Sequence, residues 1–177
     1  LARMADSARE FFEGLESRVD PAKTAGMTNS YLFDIDGAGQ WKVDVDDGKV
    51  AVDGALKYAE TDANKGKAPN VTAIGYSNSF AGTKETTLYD IDTTIGTIVR
   101  QVPPNDGTLN TIGSLGMKFD GPVAFDVWSD GKGANAGWLL ANGALHSVDL
   151  ANGGAKSLGA ISGLKGKISD ISILPTI

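Results

Sequence analysis

The chain has no cysteine and a single histidine, His146, in 177 residues. The first absence removes disulfides, thiolate nucleophiles and zinc–thiolate sites. The second means that any histidine-based metal cluster or Ser-His-Asp set would have to centre on His146. No apolar run approaches the ~18 residues of a membrane span, so no transmembrane helix is expected. Basic residues are few, 16 against 22 acidic, for a net charge of −6. Without a dense Lys/Arg run to neutralise phosphates, nucleic acid is not an expected partner. Gly-x-Ser-x-Gly and Gly-x-x-x-x-Gly-Lys-Ser/Thr are both missing, which excludes a serine-hydrolase elbow and a P-loop. The start, LARMADSAREFF, lacks the apolar core of a secretory signal. With Met4 as the natural start, a cytoplasmic protein is expected if the N-terminus is complete.

What is present is uneven. Hydrophobic residues at 41% and charged residues at 21% fit an ordinary globular chain. Residues 1–54 hold 6 basic and 11 acidic side chains, a net of −5, which leaves −1 for residues 55–177. Glycine moves the other way, with 6 in the first segment and 17 in the second.

In SAREFFEGLESRV, Ser7 and Glu10 have capping-box spacing, and Ala8, Phe11, Phe12, Leu15 and Val19 recur at helical period, predicting a helix over residues 7–18. Asp20 before Pro21, with Gly26 as the stop, predicts a second, very short helix. The period then becomes two. Tyr31, Phe33 and Ile35 share a strand face opposite Asp34 and Asp36. Trp41, Val43 and Val45 oppose Lys42, Asp44 and Asp46, and Val50 and Val52 follow after the DDG turn. An antiparallel meander with one apolar face results, and the Phe11/Phe12 helix is its available cover.

Beyond residue 54 the chain reads as a brief helix or turn region up to Pro69, then short strands between Gly, Asn and Asp turns. The clearest hairpin is WLLANGALHSVDL, in which Asn142-Gly143 can supply two positive φ angles. A weak repeat is visible: TTLYDIDTTIG (86–96) parallels GALHSVDLANG (143–153), 57 residues on, so that Leu88 matches Leu145 and Asp92 matches Asp149. Strands near 124–129, 135–141, 144–150 and 155–161 make one four-stranded unit, as a propeller blade requires. The first copy carries an insertion around IVRQVPPNDG, and ISDISIL is expected to form a last strand.

Two resemblances overlie these patterns. The run from Phe11 to Val52, FFEGLESRVDPAKTAGMTNSYLFDIDGAGQWKVDVDDGKVAV, resembles the start of the sterol carrier protein type 2 family. That likeness implies a small α+β lipid-binding domain. Residues 53–177, with TTLYDID and PPNDGTLNTIG as the more specific stretches, resemble the C-terminal part of the bacterial family of domain of unknown function 4394. This second likeness implies a propeller-like fold and no particular reaction. Together they predict an α+β chain: an N-terminal helix with antiparallel meander over residues 1–53, then mainly-β partial propeller-like blades over 54–177. The two would meet as a fusion or chimera near residues 43–54.

Candidate sites are sparse. His146 takes the slot of Tyr89 in the repeat, on the face of Val148 and opposite Asp149, so a structural role is expected and a His–Asp pair is not. Asp34, Asp36, Asp44, Asp46 and Asp47 do not give an EF-hand spacing. They, and likewise Asp90, Asp92, Asp126 and Asp130, are expected as turn aspartates or on solvated strand faces, with a weak cation site on acidic loops as the rival. GKGANAG (131–137) and NKGKAPN (64–70) read as plain loops. Trp41, Trp128 and Trp138 are expected in the core, with a sugar platform as the minority reading. No catalytic, cofactor-binding or metal residue is assigned. The function expected is a non-enzymatic binding or scaffold module of unknown ligand, without cofactor. The alternatives are a lipid (sterol or fatty acyl) binding module and a fusion without an evolved function. Open blades also leave strand edges unpaired, so pairing of two chains through them is a further expectation.

Overall fold

A computed structural model describes residues 2–35, 39–163, 166, 168 and 170–173. The chain divides into two compact units, residues 1–57 with 103–108, and residues 58–102 with 109–177.

In the first unit the leading helix, α1, runs Ala2–Glu13, five residues earlier than its cap signature indicates, so Ser7 falls inside it. Gly14 interrupts the expected continuation, and a separate turn, α2, covers Leu15–Arg18. Glycine loses more conformational entropy in a helix than other residues, which is why the break falls there. The next helix, α3 (Pro21–Thr24), starts as its sequence indicates: Pro21 opens it and the Asp20 side chain accepts a hydrogen bond from Ala22 N at 3.0 Å. Three antiparallel strands follow, β1 (Thr28–Ile35), β2 (Gly39–Asp46) and β3 (Lys49–Val52). Asp47 and Gly48, both at positive φ, make the tight β2–β3 turn. The GAG turn before β2 lies outside the described residues.

The helix does cover the meander. Phe12, 2% exposed, stacks on Trp41 with ring centres 4.7 Å apart and planes 13° apart, and Ala8, Leu15, Val50 and Val52 close around them. Phe11 stays largely exposed, meeting Phe12 edge-on and the Arg18 guanidinium over its ring at 5.9 Å. One aromatic of the pair is therefore core and the other is not.

The second unit holds two sheets, neither closed. One has the order β4-β8-β7-β6-β5, from β4 (Lys57–Tyr58), β5 (Val71–Tyr76), β6 (Leu88–Asp92), β7 (Thr97–Gln101) and β8 (Thr108–Ser114). The other is the meander β12-β11-β10-β9, from β9 (Ala124–Ser129), β10 (Asn135–Ala141), β11 (Ala144–Val148) and β12 (Ala155–Ala160). The expected four strands of 124–161 are all present. Of the stretch IVRQVPPNDG, residues 98–101 lie in the regular strand β7, paired between β6 and β8, and Pro104–Asp106 form a 3-10 turn. The region before Pro69 takes the turn form of the expected helix or turn, and β4 precedes it. Its bonds Lys57 N to Gly107 O and Ala59 N to Leu109 O advance together along both chains, a parallel arrangement. The described residues of ISDISIL, 168 and 170–173, carry no strand.

The hairpin β10–β11 turns on Asn142 and Gly143, at φ 51 and 71, as the sequence indicates. The 57-residue repeat also has a physical counterpart. Asp92 Oδ1 accepts from Thr94 N, Asp149 Oδ1 accepts from Ala151 N, and each turn ends on a positive-φ glycine, Gly96 or Gly153.

One core fills the space between the two sheets: Ile91 and Ile98 from one side, Phe125, Val127, Leu139, Ala141 and Val148 from the other. Close approach is set by glycine. A Cβ on Gly75 would lie 3.2 Å from Val127 N and Cγ2, and one on Gly113 would overlap the Asn152 carbonyl. The outer strands are irregular, with register shifts at Val71/Ala73 and at Leu145/His146. Such bulges blunt a sheet edge, which works against the edge pairing expected of open blades.

Truncating the stacked aromatic, Phe12→Ala, should cost the first unit about 3–5 kcal/mol in chemical denaturation, the usual range for a buried phenylalanine. A loss below about 1 kcal/mol would show that α1 is not the cover of this sheet.

Candidate functional site

Strand β6 is buried on both faces. Ile91 faces the inter-sheet core, while Leu88, Asp90 and Asp92 lie on the other side with their cross-strand neighbours Gln101, Val99 and Thr97. Asp90 and Asp92 are both 0% exposed. Asp92 anchors the turn that follows it, as expected, but the expectation of a solvated strand face fails for both acids, which lie wholly inside.

The two acids differ sharply. Asp92 has a full set of donors: the Tyr58 hydroxyl at 2.6 Å on Oδ2, and Thr94 N at 2.9 Å and Ile95 N at 3.3 Å on Oδ1. Tyr58 is pushed above its usual phenol range, by burial first and then by its bond to Asp92 and that group's charge. Asp90 has no hydrogen-bond partner on either oxygen. Burial without compensation drives its carboxyl up to about 7, since the charged form loses water and gains nothing. Nearby, Asp62 accepts from Thr111 N at 2.6 Å, Thr111 Oγ1 at 2.9 Å and Asn64 N at 2.8 Å. Burial opposes these bonds, but they prevail and hold Asp62 below the ordinary carboxylate range.

The first unit has its own charged cluster. Lys42 Nζ lies 2.6 Å from Asp44 Oδ2 and 3.3 Å from the buried Asp53. Desolvation raises Asp53, and the lysine beside it only partly offsets that. For Lys42 burial acts downward, but its bond to Asp44 and the charge of Asp53 outweigh it. Beside this cluster opens a cleft of about 550 Å3 with Arg9, Glu13, Glu16, Trp41, Asp53 and Lys57 among its walls. Glu16 is tied into it by accepting from Val52 N at 3.1 Å.

The remaining candidates lie apart. His146 is buried beside Val148, cross-strand from Leu139 and Ser157, and its Nδ1 has no partner. Asp149 is exposed and engaged with Ala151 N and Asn152 Nδ2, so the structure does not bring it to His146. Asp130 caps its own turn through Lys132 N and Ala134 N, which hold it below its usual range. Asp126 is half-buried and accepts from Ile173 N at 2.7 Å. Asp46 and Asp47 are exposed, while the side chain of Asp34 and all of Asp36 fall outside the described residues. Among the described residues no three His, Asp or Glu converge as metal ligands. Residues 64–70 and 131–134 are turn and loop, residues 135–137 already belong to β10, Trp41 is core, and Trp128 and Trp138 are half-buried.

Two clusters escaped the sequence reading. Tyr58 sits beyond any recognisable strand pattern, so its bond to Asp92 left no trace. Asn78 and Asn135 form a reciprocal pair, Asn78 N to Asn135 Oδ1 at 2.8 Å and Asn135 Nδ2 to Asn78 Oδ1 at 2.9 Å. Their 57-residue separation, equal to the repeat offset, was the one signal that could have drawn attention to them.

The fold and this site define a mainly-β protein of stacked sheets with an inward-facing acidic strand and no assembled catalytic set among the described residues. The chain belongs to the family described as a domain of unknown function, DUF4394, whose model matches residues 26–172. The match passes unbroken across residues 43–54, so neither a fusion there nor the sterol-carrier resemblance gains support. No curated protein and no solved structure matches the chain.

Tyr58→Phe should cost about 1.5–3 kcal/mol, the usual worth of a hydrogen bond to a charged partner, read by denaturant unfolding of the folded chain. Asp62→Asn should weaken the protein more at neutral pH than well below the ordinary carboxylate value of 3.8. Its lowered carboxyl contributes above the unfolded value and loses that contribution as the acid protonates. Equal destabilisation at both pH values would contradict the role of the Thr111 bonds.

Proposed function

We propose that this chain is a non-enzymatic binding or scaffold module of unknown ligand, built on propeller-like blades. The observation that carries this reading is the pairing of the two sheets of the second unit. Their leading strands β5 and β9 lie against each other at Gly75 and Val127, and Asp-capped turns close the hairpins β6–β7 and β11–β12. Blades of a propeller meet in the same way along their first strands. A non-enzymatic role is supported by the condition of the polar groups. Asp90 and Asp92 are sealed from solvent, His146 is isolated from Asp149, and none of these four residues lines the cleft of the first unit.

Lipid carriage is the weaker reading. An acyl chain needs continuous apolar walls, whereas the cleft of the first unit mixes Trp41, Val52, Ala55 and Leu56 with the charged Arg9, Glu13, Glu16, Asp53 and Lys57. A more plausible contact surface is the exposed Ile74, Tyr76 and Phe80 on and after β5.

The test is a thermal-shift panel of sugars, peptides, nucleotides and a fluorescent fatty acid. The expected outcome is a stabilising hit outside the lipids, diminished at least tenfold in affinity by Ile74→Ser with Tyr76→Ala. Saturable micromolar fatty-acid binding would favour the lipid reading. Turnover of any panel compound that is lost in His146→Ala or Asp92→Asn would overturn the non-enzymatic one.

A further inference from the structure

Asp90 is the single carboxyl among the described residues whose two oxygens are both buried and unpartnered. Its surroundings are asymmetric. On the β7 side its register partner is Val99, 0% exposed, while on the β5 side it is Ile74, 51% exposed. Water can therefore reach the carboxyl by displacing β5 and not by displacing β7. The strand β5 is also the weaker neighbour: it ends its sheet, it pairs with β6 alone in that sheet, and its register slips at Val71/Ala73.

We infer that Asp90 and strand β5 form a pH-dependent latch, in which the uncharged carboxyl lets the edge strand lie closed and its ionisation favours local opening of β5. Among the described residues of these strands, none on this face carries a positive charge. From β6 itself comes Asp92, from β4 Tyr58 with Asp62 following it, and from β5 Tyr76. From β7 come Thr97, Val99 and Gln101, and from β8 Leu109 and Thr111, none of which titrates. The basic residues of these strands, Arg100 and Lys57, alternate with Gln101 and Tyr58 and so belong to the opposite side. Asp92 is already saturated with donors and offers Asp90 only like charge.

The direction follows from burial. The closed form keeps its proton to about pH 7, and an opened, solvated Asp90 releases it near its ordinary value of 3.8. Closure is thus fully favoured below about pH 4 and weakens as pH rises to 7. Above that both forms are ionised and the balance is level.

Amide hydrogen exchange of β5 in the full chain, corrected for the intrinsic pH dependence of exchange, tests this directly. The opening constant should rise about tenfold per pH unit between pH 4 and 7 and then flatten. In Asp90→Asn it should be flat across the range. A flat wild-type profile, or the same rise in Asp90→Asn, would overturn the latch. Should that variant not fold, the carboxyl carbon shift of Asp90 in the wild-type chain decides alone: a midpoint near 7 supports the latch, and one below 5 refutes it.

Discussion

The second unit depends on the close meeting of its two sheets. Gly75 brings the β5 backbone against Val127, and Gly113 brings β8 against the Asn152–Gly153 turn. Only at that distance can Ile91 and Ile98 interleave with Phe125, Val127 and Leu139 to exclude water entirely. Close packing of this kind is intolerant of added volume, because the backbone on either side has nowhere to move. The alternation of β6 has a consequence: Ile91 turns into this core, while Asp90 and Asp92 turn to the opposite face, where they too are buried.

That consequence separates two acids that look identical in the sequence. Asp92 ends its strand, so the following turn supplies backbone donors and Tyr58 supplies a hydroxyl. Asp90 sits two residues earlier, in mid-strand, where every backbone N–H is committed to the ladder. The same residue type thus serves as a turn anchor in one place and as an uncompensated buried acid in the other. Position along the strand decides which.

Much of the local structure was legible. Asp20-Pro21, Asp47-Gly48 and Asn142-Gly143 each announce their turn or cap because the conformation they need is one few residue types adopt. The Phe12–Trp41 packing followed from two periodicities that both wanted cover. Less was legible where the outcome depended on partners distant in sequence. That TIVRQ is a strand is legible, but its place between β6 and β8 is set by partners the local pattern does not show. LYDID looks half-solvated because alternation says nothing of whether its second face is covered, and the fold buries it. The local pattern VDVDDGKVAVDGAL fits two families equally well. The family match from residue 26 onward, and not the pattern, removes the support for a break there.

The central claim is that the two sheets of the second unit share one core and open together. Native-state hydrogen exchange of Val127→Ala measures it most directly, since Val127 contributes from one sheet only. The account predicts that the most protected amides of β6 and β7 and those of β9 and β10 lose the same opening free energy, about 1–3 kcal/mol for two buried methyl groups. Loss confined to β9 and β10, with β6 and β7 unchanged, would show two separately stable sheets and contradict it.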